Sequence, residues 1–288
     1  IPEGSEDTSA VMGAKASRMA IERSGLTKDD IDFIVFATMT PDYYFPGCGV
    51  QIQDMLEMKN VGAIDIRNQC SGFVYALSVA DQFIKTGMYK NILVVGAEYH
   101  SNGLDKSTRG RGVTVIFGDG AGAVLFEPNH DGLGMQDEIL KTDGKGRDFL
   151  KVKSGGSCRP TDKEAIENGD QFIRQDGKTV FKNAVFNMAD VSAKILKRNK
   201  LKKEDIQWLA AHQANQRIID ATANRLELSP NQVMVNIEKY GNTTSATIPL
   251  LLYDYESKLK KGDKIVFAAF GGGFSWGSIY FKWSYNNN

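Results

Sequence analysis

The sequence predicts an α/β protein built from two duplicated halves with mainly parallel sheets, and three observations carry that expectation. The stretch 24–34, Ser-Gly-Leu-Thr-Lys-Asp-Asp-Ile-Asp-Phe-Ile, reads against 199–209, Asn-Lys-Leu-Lys-Lys-Glu-Asp-Ile-Gln-Trp-Leu, at an offset of 175 residues. The same offset carries Asp81 onto Glu256, Gly87 onto Gly262 and Gly96 onto Gly271; self-similarity at a fixed spacing marks a repeated unit. Helix and strand patterns alternate within each copy, which favours parallel strands. Finally, Phe33–Ala37 and Ile92–Val95 are near-continuously apolar, as strands covered on both faces are.

In chain order the first copy reads as helix 8–23, strand 31–38, helix 48–57, a buried-type strand 61–66, helix 71–86 and strand 91–98. The second reads as helix 178–198, strand 206–211, helix 214–226, helix 244–259 and strand 264–270. Helix 178–198 places Val180, Phe181, Ala184, Val185, Met188, Val191, Ile195 and Leu196 at helical spacing, an amphipathic core face. Residues 143–176 are polar and Gly-rich and read as a connecting excursion or lid. The expected division is an N-terminal half 1–142, the excursion 143–176 and a C-terminal half 177–288.

The 288 residues are 42% hydrophobic, enough for a sizeable core. Lys and Arg number 35, as do Asp and Glu. This balance provides no global attraction to nucleic acid or to membranes, so an acidic partner must meet a local basic patch. No apolar run reaches the roughly 18 residues needed to span a bilayer. The three cysteines, Cys48, Cys70 and Cys158, cannot all pair and show no metal spacing. No metal and a reduced, cytoplasmic setting are therefore expected, and a first residue other than Met predicts sequence upstream of Ile1.

Cys70, Ser71 and Gly72 stand where strand 61–66 hands over to helix 71–86. Unpaired N–H groups and the macrodipole at a helix start favour an anion there. That field is worth about 0.3–1 kcal/mol and up to about 2, which would bring a thiol from about 8.5 towards about 7. A lone Cys is weak evidence, since most buried cysteines are inert. His212 in His-Gln-Ala-Asn and Asn242 in Tyr-Gly-Asn-Thr-Thr strengthen it, because Cys, His and Asn on one pocket suit acyl transfer through a thioester. Taken alone, both residues serve equally well as loop residues satisfying the backbone; Asn242 is a good helix N-cap. The run 118–122, Gly-Asp-Gly-Ala-Gly, resembles a dinucleotide loop without the ribose-binding pattern, and close packing is the better reading. His100 and His130 carry no motif and are expected at the surface or at strand ends.

The chain closely resembles the β-ketoacyl-acyl carrier protein synthase III family of condensing enzymes. Matching stretches are Thr40-Pro-Asp-Tyr-Tyr-Phe-Pro46, Asn68-Gln-Cys-Ser-Gly-Phe73, Ile116-Phe-Gly-Asp-Gly-Ala-Gly122, His212-Gln-Ala-Asn215, Tyr240-Gly-Asn-Thr-Thr244 and Phe270-Gly-Gly-Gly-Phe-Ser-Trp-Gly277. The resemblance implies a thiolase-like αβαβα layered fold, a homodimer and a further core strand upstream of Ile1. It also implies a ping-pong condensation of an acyl-CoA primer with malonyl-acyl carrier protein, starting type II fatty acid synthesis, with no permanently bound cofactor. Carried onto this sequence, Cys70 is the nucleophile, while His212 and Asn242 stabilise the enolate left by decarboxylation. The N–H groups of Cys70 and Gly272 form the oxyanion hole. Arg111, with Arg109 as a close rival, and Asn215 meet coenzyme A, and Phe45 crosses to the partner's acyl pocket. Arg217, Arg225 and Lys182 dock the acidic carrier protein. A related acyltransferase acting on an alcohol or amine, or a non-catalytic scaffold that binds carrier protein, are the alternatives.

Overall fold

The computed structural model describes residues 1–2 and 4–286. The strands are β1 Phe33–Ala37, β2 Gly62–Ile66, β3 Ile92–Glu98, β4 Gly120–Phe126, β5 Gly134–Thr142, β6 Leu150–Val152, β7 Ile173–Gln175, β8 Trp208–Ala211, β9 Lys264–Gly271 and β10 Ser275–Lys282. The helices are α1 Ser9–Ser24, α2 Cys48–Met55, α3 Gly72–Lys85, α4 Arg111–Thr114, α5 Lys163–Asn168, α6 Gly177–Arg198, α7 Gln216–Arg225, α8 Ile237–Tyr240 and α9 Thr247–Tyr255. Local chemistry sets several ends. The Thr8 hydroxyl accepts from the Val11 N–H at the start of α1, and Gly25, at φ 77°, terminates that helix in the left-handed conformation. The Asp176 carboxylate accepts from the Thr179 N–H and caps α6.

The strands form two four-stranded sheets, ordered β2-β1-β3-β4 and β5-β10-β9-β8, and β6 pairs with β7 in a small ribbon. In the first sheet β2, β1 and β3 run parallel and β4 is antiparallel. In the second, β8 and β9 are parallel while β10 and β5 are antiparallel. Successive strand residues face opposite sides, and this alternation sorts the core into three clusters. Phe33, Val35, Ile92 and Val94 from one sheet and Ile265, Phe267 and Ile279 from the other bury Phe73, Val74 and Leu77 of α3 and Ile248 and Leu251 of α9. The intervening Ile34, Phe36, Leu93 and Val95 face α1 and α2 on the outside. Leu209, Val266, Ala268 and Phe270 face α6 and α7. The layers are therefore α, β, α, β, α, the architecture the resemblance implied.

Two expectations change. Gly134–Thr142 belongs to the second sheet, paired with β10, although the sequence division placed it in the first half. This polar outer strand lacks the continuous apolar signature that marks a central one, so the excursion interrupts the second half rather than separating the halves. Strand 61–66 was expected to be covered, yet β2 is an outer strand with Gly62, Ile64 and Asp65 exposed. The Asp65 carboxylate instead accepts from the N–H groups of Cys48 and Gly49 at the start of α2. Although the residue is exposed as a whole, its carboxyl is enclosed by the start of α2, and that desolvation raises its pKa against the lowering by the two N–H groups.

Candidate active site

The two halves meet at the turns that start α3 and α9. A 3₁₀ turn, Gln69–Ser71, leads into α3 and another, Thr244–Ala246, leads into α9. Gln69 (φ 46°) and Thr244 (φ 51°) both take the left-handed conformation. They stand at the repeat offset, so the duplication extends to this backbone detail. The turns pack through a close approach: a Cβ on Gly96 of β3 would lie 2.3 Å from the Ser245 carbonyl oxygen. On the opposite side, a Cβ on Gly271 would lie 2.7 Å from the Cys70 nitrogen. Only glycine permits either contact.

Cys70, His212 and Asn242 line one cavity of about 960 Å³, together with Met39, Phe117, Asn215 and Gly271–Gly273. Cys70 comes from the α3 turn, and His212 follows β8 directly, its N–H donating to the Ala268 carbonyl at 2.7 Å. Asn242 precedes the α9 turn and is clamped to the first half: its N–H donates to the Ile116 carbonyl at 2.9 Å, and its own carbonyl accepts from Gly118 at 3.0 Å. The Asn242 side-chain oxygen accepts from the Thr244 N–H at 2.9 Å. This orientation leaves the amide nitrogen as the free donor, and the Asn242 and Thr244 side chains both act to lower the pKa of the Cys70 thiol against the larger effect of burial.

The electrostatics differ from the sequence expectation. Cys70 is 6% exposed, and its pKa is pushed up to about 12, first by burial and then by the nearby Glu98 charge. Loss of hydration thus outweighs the helix start, whose field was expected to bring the thiol down. Burial also depresses His212 to about 3, with His100 a lesser electrostatic influence, so the imidazole is neutral. His212 Nδ1 lies 2.8 Å from the Thr247 hydroxyl, while Nε2 is buried without a hydrogen-bond partner.

Other anticipated residues are distributed around this centre. Asn215 lines the cavity and caps α7 through the Arg217 N–H. Arg217 and Arg225 are exposed on α7, and Lys182 is exposed on α6. Gly272 lines the cavity but packs against Leu150, and the closest approach to Cys70 falls to Gly271. Arg111 is exposed at the start of α4, outside the cavity lining, whereas Arg109 lines it and is held by Asp105 at 2.7 Å and by the Asn168 carbonyl at 3.1 Å. Phe45 is 83% exposed beside Tyr43 and Tyr44, away from this chain's own cavity. In the 118–122 run, Gly122 packs against Pro249, as the close-packing reading anticipated.

Several residues of the site went unrecognised in the sequence. Arg67, Arg147, Lys151 and Lys178 give the cavity a cationic lining, partly from the excursion. His100 is wholly buried rather than superficial, with Nδ1 2.8 Å from the Gly118 carbonyl and Nε2 2.8 Å from the Thr244 hydroxyl. One signal was available: His100 follows the carboxyl end of β3 closely, as His212 follows β8. Buried Glu98 accepts from the hydroxyls of Thr38 and Thr40 and the N–H groups of Met39 and Ser245. Burial raises its pKa while those donors oppose the rise.

Family models of 3-oxoacyl-[acyl-carrier-protein] synthase III match residues 64–144 and, for its C-terminal part, 196–283. A Bacteroides thetaiotaomicron β-ketoacyl-[acyl-carrier-protein] synthase III is 47% identical over 278 residues, covering 96% of this chain and 82% of its own. The chain belongs to this family. The synthase III of Chlorobium luteolum is 42% identical, covering 96% of this chain and 84% of its own. The crystal structure of the Aquifex aeolicus enzyme superposes with a TM-score of 0.88 at 37% identity, covering 97% of this chain and 86% of its own. The protein is thus a condensing acyltransferase of fatty acid synthesis with the thiolase-like fold. Among the described residues no cluster suits a metal ion, and no helix is long and apolar enough to cross a membrane.

Proposed function

We propose that this chain joins an acyl-CoA primer to malonyl-acyl carrier protein, giving a 3-oxoacyl-acyl carrier protein through an acyl thioester on Cys70. The observation that carries this reading is the convergence of Cys70, His212 and Asn242 on one cavity. In the first half-reaction the Cys70 sulfur attacks the primer carbonyl, the N–H groups of Cys70 and Gly272 receive the developing oxyanion, and the primer's C–S bond breaks as coenzyme A leaves as its thiol with the proton that Cys70 gives up. In the second, loss of CO2 from the malonyl group leaves an enolate that attacks the acyl-Cys70 carbonyl.

A neutral His212 suits that second step, because a carboxylate in its place would repel the enolate. Its donor role requires the ring proton on Nε2. The Thr247 hydroxyl, 2.8 Å from Nδ1 and 2.9 Å from the Thr244 carbonyl, favours that tautomer only in the rotamer that turns its single proton from the carbonyl to the ring. The Asn242 amide supplies the second donor, and each is worth about 2.7–4 kcal/mol of transition-state stabilisation. Arg111 and Asn215 bind coenzyme A, and the cationic cavity lining suits its phosphates. Arg217, Lys182 and Arg225 dock the acidic carrier protein, where complementary charge chiefly speeds encounter. The exposed outer strand β2 with Tyr43, Tyr44 and Phe45 supports a homodimer that inserts Phe45 into the partner's acyl pocket. A cytoplasmic location accords with three free cysteines.

Incubating the protein with a series of acyl-CoAs, locating the acyl mass by peptide mapping and then adding malonyl-acyl carrier protein tests the reading. Acyl mass on Cys70 followed by 3-oxoacyl product supports it. Acylation without condensation favours transfer to an alcohol or amine, and no acyl mass on Cys70 overturns the mechanism.

A further inference from the structure

Buried His100 takes no part in the mechanism above, and neither it nor Thr244 lines the cavity. It is held from three directions. Its N–H donates to the Asp119 carboxylate at 2.7 Å. The Gly118 carbonyl, 2.8 Å from Nδ1, can only accept, so that contact sets a proton on Nδ1. With one ring proton there, Nε2 is an acceptor, and the Thr244 hydroxyl donates to it across 2.8 Å. The Phe117 ring covers the imidazole at 4.8 Å between centroids.

The two residues that the imidazole bonds are themselves bonded to Asn242. Gly118 donates its N–H to the Asn242 carbonyl at 3.0 Å, and the Thr244 N–H donates to the Asn242 side-chain oxygen at 2.9 Å. One ring therefore spans the residue that fixes the Asn242 backbone and the residue that fixes its amide. Thr244 needs such a tether, because it is β-branched and sits at φ 51°, a conformation that such residues seldom adopt. Glu98, two residues earlier at the end of β3, ties the same turn by accepting from the Ser245 N–H at 3.3 Å. We propose that His100 is a positioning residue for Asn242: by anchoring Thr244 from behind, it keeps the amide oxygen turned from the cavity and the amide nitrogen aimed at the enolate formed on decarboxylation. The inference rests on Asn242 donating to that enolate.

The amide needs such a support. The terminal torsion of Asn is broad and roughly two-fold, so its own rotamer preference does not choose which end faces the cavity. Turned end for end, the amide would present an acceptor to a developing negative charge. The Thr244 N–H makes the choice, and it is placed by a residue whose hydroxyl is held by His100. A reacting or stabilising group displaced by about 1 Å can cost about 10²-fold in rate. Acylation draws instead on the sulfur of Cys70 and on N–H groups from the α3 turn and from just past the end of β9. A defect at His100 should therefore fall on the second half-reaction.

The test follows the half-reactions separately. Acylation of Cys70 is read by mass with whichever of acetyl-, butyryl- and isobutyryl-CoA charges it fastest, and CO2 release from malonyl-acyl carrier protein is read on the acylated enzyme. His100→Leu and the near-isosteric Thr244→Val should each slow CO2 release roughly 100-fold, while acylation stays within about threefold of the parental rate. Thr244→Ser, which keeps the hydroxyl, should recover most of the rate. Adding His100→Leu to Asn242→Ala should cost nothing further, because His100 acts only through Asn242. Parental CO2 release in both single variants, Thr244→Ser as slow as Thr244→Val, or a multiplicative loss in the double variant overturns the positioning role alone. So does an equal deficit in acylation, which a wall role behind Phe117 would give. Parental CO2 release by Asn242→Ala, or a Cys70 that none of the three primers acylates, overturns this role and the functional reading together. If His100→Leu fails to fold, the Thr244→Val and Thr244→Ser pair decides.

Discussion

The starts of α3 and α9 share a backbone but not a chemistry. Each begins with a 3₁₀ turn whose leading residue is left-handed, Gln69 in one and Thr244 in the other. At the next position stand Cys70 and Ser245, and the second turn is preceded by Asn242. Duplication supplied the same scaffold twice, and side chains then divided the work. The α3 turn carries the sulfur; the α9 turn carries the groups that surround it. Glycines at 96 and 271 let the two turns and the β9 end close on one another, so neither half holds a complete site.

The comparison breaks most sharply at Cys70. Cys70→Ala should abolish acylation and lower condensation by at least about 10⁴-fold, measured by acyl-peptide mass and product formation; Ser245→Ala should leave both near parental values. Asn242→Ala probes the opposite turn. It should lower condensation by roughly 10²–10³-fold while Cys70 still becomes acylated, read by following the two half-reactions separately. Gly96→Ala tests the closure itself. With a Cβ placed 2.3 Å from the Ser245 carbonyl, it should cost about 1–3 kcal/mol of stability, seen as a lower thermal midpoint.

An effect that emerges only in acid concerns His212, depressed in the folded protein from 6.5 to about 3. The unfolded chain binds this proton more readily, so its contribution favours folding above about 6.5 and is lost as pH falls towards about 3. His212→Gln should therefore flatten the acid limb of stability against pH, measured by denaturant titration at several pH values.

The repeat, the alternation of helix and strand, the apolar central strands and the motif-bearing residues were all legible in the sequence, because each is written in local pattern. The resemblance extended this to the layered architecture and to Cys70, His212 and Asn242. Outer strands were less legible. β2 is bounded by turn signals like a covered strand, and β5 is polar enough to pass for a connection; only pairing partners distinguish them. The cationic lining was missed because Arg147 and Lys151 sit in a segment whose composition shows polarity without direction.

The sequence by itself determined that there are two related α/β halves and singled out Cys70, His212 and Asn242 as the candidate acyl-transfer set. Only the tertiary structure decided the protonic state of that chemistry. A helix start predicts a stabilised thiolate when considered alone, but the packing of both halves removes water from Cys70 and brings Glu98 near, and the thiol rises instead. The same packing turns His100 from an unremarkable strand-end residue into a buried neighbour of Thr244. Desolvation and long-range charge depend on what surrounds a residue in three dimensions, and neither is encoded in its immediate sequence neighbours.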